Sequence, residues 1–204
     1  MIGCSRSSVD LQQDNYRHFC LDISDESRVK KMFVEIRKTH RRLDVLINNA
    51  AINLTFAPLL LVPYDSARRT VEINFLGTFL MSREATKLMM QNRFGRIINV
   101  SSMDVKHESK GMAIYSASKS AVHSLTRVMA KEVYPYGITC NVIAPSAVKT
   151  DLSNAIERES LQAVLDRNAI PTMGKMEDIS NAVDWLLRPE SDAITSQVIY
   201  LGGT

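Results

Sequence analysis

Apolar residues along this chain follow two patterns: short unbroken runs, and longer stretches in which they return every three or four positions. The first pattern predicts buried strands and the second amphipathic helices; their alternation predicts a parallel sheet with helices on its faces. Strands are expected at residues 1–4, 16–21, 43–47, 96–101, 138–144 and 198–201. After the second, Ser24 is expected to cap a helix that holds Asp25 and Glu26 in its first turn and presents Val29, Met32, Phe33 and Ile36 to the sheet. Long helical regions follow at 64–91 and 113–134, the latter stopped by Pro135 and Gly137, with shorter ones inside 151–168 and at 176–187. The opening is abrupt, because Met1-Ile2-Gly3-Cys4 already reads as the end of a core strand and Ser5-Arg6-Ser7-Ser8 as the loop after it.

Composition narrows the class. With 204 residues and 45% hydrophobic content, the whole chain 1–204 fits a single domain with one buried core. Lys and Arg exceed Asp and Glu by 25 to 22, and the basic residues are scattered rather than clustered, so no nucleic-acid partner is expected. No apolar stretch reaches the ~18 residues of a membrane span, and a soluble cytoplasmic protein is expected. Cys4, Cys20 and Cys140 lack metal-ligand spacing and read as buried, reduced thiols, with no metal site.

Candidate chemistry gathers at predicted strand ends, where open α/β sheets bind ligands. Tyr115 and Lys119, four apart near the start of the second long helix, share one helical face. An ammonium held beside a phenol favours the phenolate, and such a tyrosine can exchange protons with an alcohol or carbonyl. Taken alone, the pair also reads as an exposed helical neighbour pair. Ser102 sits at the end of strand 96–101, as a hydroxyl donor or a loop serine. Asn48-Asn49-Ala50 follows strand 43–47, either as a turn or as small residues that let a flat ligand approach. Asn74 lies inside the first long helix, where asparagine is an indifferent helix former. Asn141 to Ser146 leaves a strand and leads to Thr150 and Asp151, a turn with room for a ligand contact.

In this order and spacing, these five elements closely resemble the short-chain dehydrogenase/reductase family in its 3-oxoacyl-acyl-carrier-protein-reductase-like form, from Met1 to Tyr200-Leu201-Gly202-Gly203. The resemblance implies a Rossmann-like, three-layer, doubly wound parallel sheet. It implies an NAD(P)-dependent oxidoreductase that reduces a carbonyl or oxidises the alcohol, with Tyr115 as acid/base, Lys119 lowering its pKa and holding the nicotinamide ribose, Ser102 bonded to the substrate oxygen, and Asn74 completing a proton relay. Cofactor contacts are implied for Arg6, Asp22, Ile23, Asn49, Ala50, Pro145, Ser146, Val148 and Thr150. Arg6 suits a 2′-phosphate, so NADP(H) is favoured over NAD(H). A homodimer or homotetramer built through the long helices is implied as well, with Leu152, Ile156, Leu161, Val164 and Leu165 forming an apolar lid over a small carbonyl or alcohol substrate. A 3-oxoacyl thioester, a sugar-derived ketone and a steroid-like ketone all remain candidates.

The chain also departs from that family. The opening strand, TGxxxGxG loop and helix are missing, and no subset of the eight glycines has phosphate-loop spacing. The expected sheet therefore lacks its first strand and first helix. Either its two halves close on each other, or two apolar edges stay unpaired. Ala51 and Ser146 stand where glycine is usual, and Asp104 where a small neutral residue is commoner. Three readings follow: a chain truncated at its N-terminus relative to the family, a stand-alone enzyme that holds cofactor by its remaining contacts, or a catalytically impaired binding and oligomerisation protein.

Overall fold

A computed structural model describes residues 1–11, 13–149 and 158–203. Strands β1 (Ile2–Ser5) and β2 (Arg17–Cys20) pair in parallel as a two-stranded sheet. Strands β3 (Val45–Asn48), β4 (Gly95–Val100), β5 (Ile138–Pro145) and β6 (Val198–Leu201) form a second parallel sheet in that order. Helix α1 (Glu26–His40) leads from the first sheet to the second. Helices α2 (Tyr64–Val71) and α3 (Thr78–Asn92) form one rod interrupted by a π-helical stretch, Glu72–Gly77. The short α4 (Asp104–His107) and the long α5 (Ala113–Val133) follow β4, and α6 (Arg158–Leu165) and α7 (Met176–Leu187) precede β6.

The two sheets do not close on each other. No pairing between β1 and β3 occurs among the described residues, and Ile47, the last residue of the apolar run Val45-Leu46-Ile47, is left 44% exposed. What joins the halves is packing: Leu21, Ile23, Val29 and Phe33 share one apolar cluster with Leu46, Ile73, Leu88 and Ile97. Ion pairs back this up, Arg69 of α2 with Asp22 after β2, and Arg83 of α3 with Glu26 of α1.

The strand and helix expectations agree with the structure to within one or two residues, with two local corrections. Asp25, not Ser24, caps α1, accepting the Arg28 N–H at 3.0 Å, while Ser24 turns back to donate to Asp22 at 2.6 Å. Either side chain could accept a helix-end N–H; the competing Asp22 carboxylate decides which one does. The thiols are free, but only Cys140 is buried; Cys4 is half-buried and Cys20 exposed, because the first sheet is short and covered less completely than the second. The end of α5 is as expected: a 3-10 turn through Pro135 leads to Gly137 at φ +72, where a Cβ would lie 2.4 Å from the Arg93 oxygen.

Between the second sheet and the helices α3 and α5, a polar seam joins the two layers. Asn99 of β4 accepts from Asn48 of β3 at 2.8 Å and donates to Thr126 of α5 at 2.8 Å, and Asn48 also donates to Ser82 of α3 at 2.9 Å. These groups are buried, so each depends on the others for its hydrogen bonds. Asn99→Ala is expected to cost about 3 kcal/mol of unfolding free energy, since it takes one hydrogen bond from each of two buried partners and opens a cavity, as measured by urea denaturation.

Candidate active site

The second sheet brings the candidate residues to one edge. Past the end of β4, Ser101 N–H donates to Ile143 O at 2.8 Å and Met103 N–H to Pro145 O at 2.9 Å, so the ladder carries Ser102 alongside the end of β5. Ser102 Oγ accepts the Asp104 N–H at 3.1 Å. Facing it is the buried stripe of α5, in which Tyr115 and Lys119 precede Val122, His123 and Thr126 at helical spacing. The exposed-pair alternative for Tyr115 and Lys119 is thereby overturned, since both are buried.

Lys119 Nζ donates to Val100 O at 2.8 Å and lies 6.0 Å from the centroid of the Tyr115 ring. Burial pushes Lys119 down to about 8 and Tyr115 up to about 12. For Tyr115, a hydrogen bond to Ser102 pulls the other way, and the Asp104 charge adds to the rise. Desolvation favours the neutral form of both groups and is the larger influence on Tyr115 in the protein alone. At neutral pH Tyr115 holds its proton.

A cavity of about 520 Å³ opens onto this edge, with Ser102, Tyr115, Lys119, Asn49, Pro145, Ser146 and Val148 on its wall. Leu161 and Val164 of the expected lid line it too, while Leu165 is buried; Leu152 and Ile156 lie outside the described residues, as does Thr150. Ser146 Oγ accepts from Asn168 at 2.7 Å, and Val148 bridges to Gly174. Asn168 in turn meets His107 at 2.8 Å, fastening the segment after α6 to α4. That clamp was not legible in the sequence, where Asn168 and His107 carry no motif. Phe56 and Met112 on the wall were missed for the same reason.

Other expected site residues sit apart from the cavity wall. Asn74 is fully buried in the π-helical stretch, accepting from Ile52 N–H at 2.8 Å and donating to Ile52 O at 2.9 Å and Ser118 Oγ at 3.1 Å. It therefore pins the loop after β3 to α5, and the π-helical turn is what aims it there. Asp22 is held by Ser24 and Arg69, Ile23 is buried against the position of Gly77, and Arg6 and Ala50 are exposed.

The residues present fit one half of a dinucleotide. An ammonium has three N–H donors, and Lys119 commits one of them among the described residues, leaving the others for ribose hydroxyls at the floor of the cavity. The phosphate half lacks a glycine cradle in this sequence.

Comparison with known proteins places the chain. The profile of the family described as Enoyl-(Acyl carrier protein) reductase matches residues 6–203. The chain belongs to the short-chain dehydrogenase/reductase family of oxidoreductases, as its fold and site geometry also indicate. It is 31% identical to the 3-oxoacyl-[acyl-carrier-protein] reductase FabG of Rickettsia felis over 97% of this chain and 80% of that protein. Against a short-chain type dehydrogenase/reductase of Picea abies it is 33% identical over 89% of this chain and 68% of that one. Among solved structures, NAD+-bound xylitol dehydrogenase matches with a TM-score of 0.85 at 25% identity, covering 93% of this chain and 79% of that one. ElxO with NADP bound matches at 0.84 and 28% identity, covering 92% and 77%. Among the described residues, no helix is long and apolar enough to cross a membrane.

The Lys119 shift has a sign that can be checked. Its folded pKa is lowered, so unfolding takes up a proton between about 8 and the ordinary lysine value of 10.5. The resulting penalty is full below pH 8 and fades as pH rises. The stability difference between Lys119→Met and wild type should therefore shift in favour of wild type as pH is raised from 8 toward 10, in paired urea titrations.

Proposed function

We propose that the protein reduces a small carbonyl compound, or oxidises the corresponding alcohol, with Tyr115 as the proton donor and acceptor. The observation that carries this reading is the neutral, buried Tyr115 next to Ser102 on the wall of a cavity that a buried lysine also lines. A bound nicotinamide cofactor would supply or receive the hydride. Ser102 would hydrogen-bond the carbonyl oxygen, and Tyr115 would pass its proton to that oxygen as charge develops there. Lys119 would bind the nicotinamide ribose and favour the phenolate once Tyr115 has given up its proton. Asn74 would act indirectly, by fixing the loop after β3 against Ser118.

NADP(H) is the proposed cofactor, supported by Arg6 at the end of β1, by the FabG likeness and by the NADP-bound neighbour. The NAD+-bound neighbour supports the other choice, so Arg6 is the residue to test. Asn49, Ala50, Pro145, Ser146, Val148 and Thr150 are the proposed contacts near the nicotinamide, and Asp22 and Ile23 those near the adenine. A homo-oligomer through the helical faces is supported by Val71, Val128 and Tyr134, apolar and exposed on or beside α2 and α5.

The decisive experiment is NADPH titration of the 204-residue protein, followed by turnover with a panel of ketones. Tyr115→Phe should lower kcat by ~100-fold or more while leaving cofactor affinity within a few-fold. Equal turnover by wild type and Tyr115→Phe would refute the assignment of Tyr115. Arg6→Ala should weaken NADPH by about ten-fold and leave NADH unchanged, measured as Kd for each. Absence of any cofactor binding, with folding intact, would instead favour the impaired, non-catalytic reading.

A further inference from the structure

Asp104 is the acid that stands where the family commonly has a small neutral residue, and its surroundings give it a task. Its backbone is pinned on both sides: its N–H donates to Ser102 Oγ at 3.1 Å, and its carbonyl accepts from Ser116 Oγ at 3.0 Å. The side chain belongs to the wall of the 520 Å³ cavity and is 94% buried, yet its Oδ2 has no hydrogen-bond partner. Ser109 lines the same cavity, and its buried Oγ is also without a partner. Two orphaned polar atoms in residues that line one cavity are costly in a folded protein, and their persistence next to a reactive centre points to a ligand that satisfies them once the side chains turn toward it. Lys110 and Arg167 share the wall, but neither forms an ion pair with Asp104; Arg167 instead donates to His107 O at 3.0 Å.

Building on the oxidoreductase reading above, the geometry points to Asp104 and Ser109 as a polar subsite that selects carbonyl substrates bearing a hydroxyl group on the carbon beside the carbonyl or the next one out. Asp104 follows Ser102 by two residues, so a substrate oxygen held at Ser102 places its neighbouring carbons near the Asp104 side chain. A hydroxyl there donates to the carboxylate and can accept from Ser109. A bare alkyl group leaves both atoms unsatisfied, and a carboxylate or phosphate at the same place meets like charge. Recognition is also coupled to proton transfer. The Asp104 charge works against ionisation of Tyr115, and a donor on Asp104 screens that charge, so a hydroxylated substrate eases the step that its alkyl analogue does not.

The test uses isosteric pairs in which a methyl replaces the hydroxyl: hydroxyacetone against butanone, and hydroxyethyl methyl ketone against propyl methyl ketone. Binding is followed by NMR titration of the cavity methionine methyls of Met103 and Met112, which needs neither cofactor nor turnover. Wild type is expected to bind the hydroxylated member of at least one pair about ten-fold or more tightly than its partner. Asp104→Leu should bring that ratio to one or below. Asp104→Asn, the closest isostere, should lower it while preserving the fold if the leucine variant does not fold. Equal affinities within both pairs, an unchanged ratio in the variants, or no response of either methyl to any of the four ketones would overturn the subsite. A hydroxyl preference in binding, with no NADPH-dependent turnover, would support the subsite and count against the oxidoreductase reading alone.

Discussion

Burying a lysine ammonium beneath the end of a β-strand is the constraint around which this site is arranged. Lys119 is 3% exposed and, among the described residues, gives one hydrogen bond, to Val100 O, at the point where β4 ends and the chain turns toward Ser102. Such burial is unfavourable for a charge, and it persists only where the surroundings hold the group in place and leave it something to do. The long helix α5 supplies the hold. Its buried stripe runs from Tyr115 through Val133 against β5, so Tyr115 and Lys119 are positioned by an apolar interface far larger than either of them.

The same helix ties the catalytic edge to the interior. One turn or two beyond Lys119, His123 meets Ser101 at 2.7 Å and Thr126 accepts from Asn99, so polar contacts continue from the cavity floor into the seam between sheet and helices. Burial and the charges of Arg127, Lys119 and Lys106 push His123 down to about 4, and it packs neutral beneath the site. A site carried on a sheet and a long helix is held more rigidly than one carried on loops. The opposite wall is different in kind, since the segment after α6 is fastened to loops and strand ends, through Asn168 with His107 and Ser146 and through backbone bonds from Ile170 to Gly202 and Gly174 to Ala147. One wall positions the reacting groups, and the other is joined to the loops around them.

The first two strands occupy a separate place in this design. They pair with each other and pack through α1 onto α3, yet the inward edges of β1 and β3 remain apart. Exposure of Ile47 at the end of the apolar run in β3 marks a second difference, because in a closed parallel sheet both faces of such a strand are covered, and here one face is not. The residues at the end of β1, among them Arg6, thus belong to the less constrained half, and those around Tyr115 to the more constrained one.

Much of this was written into the amino-acid order. Hydrophobic periodicity located the strands and helices because burial is a local, repeating demand, and the Tyr115–Lys119 spacing followed from helical geometry alone. Ser102 was placed at a strand end for the same reason. Three things needed the folded chain. Whether Ser24 or Asp25 caps α1 depended on a carboxylate nearby, and the π-helical turn that turns Asn74 onto Ile52 left no mark in the residue pattern beyond an asparagine and a glycine in a helix. The protonation of Tyr115 depended on how deeply it is buried and on Asp104, neither of which is encoded in sequence spacing. Local patterns determine which backbone forms where; desolvation and the meeting of distant polar groups exist only once the layers have packed, and those decide what the site can do.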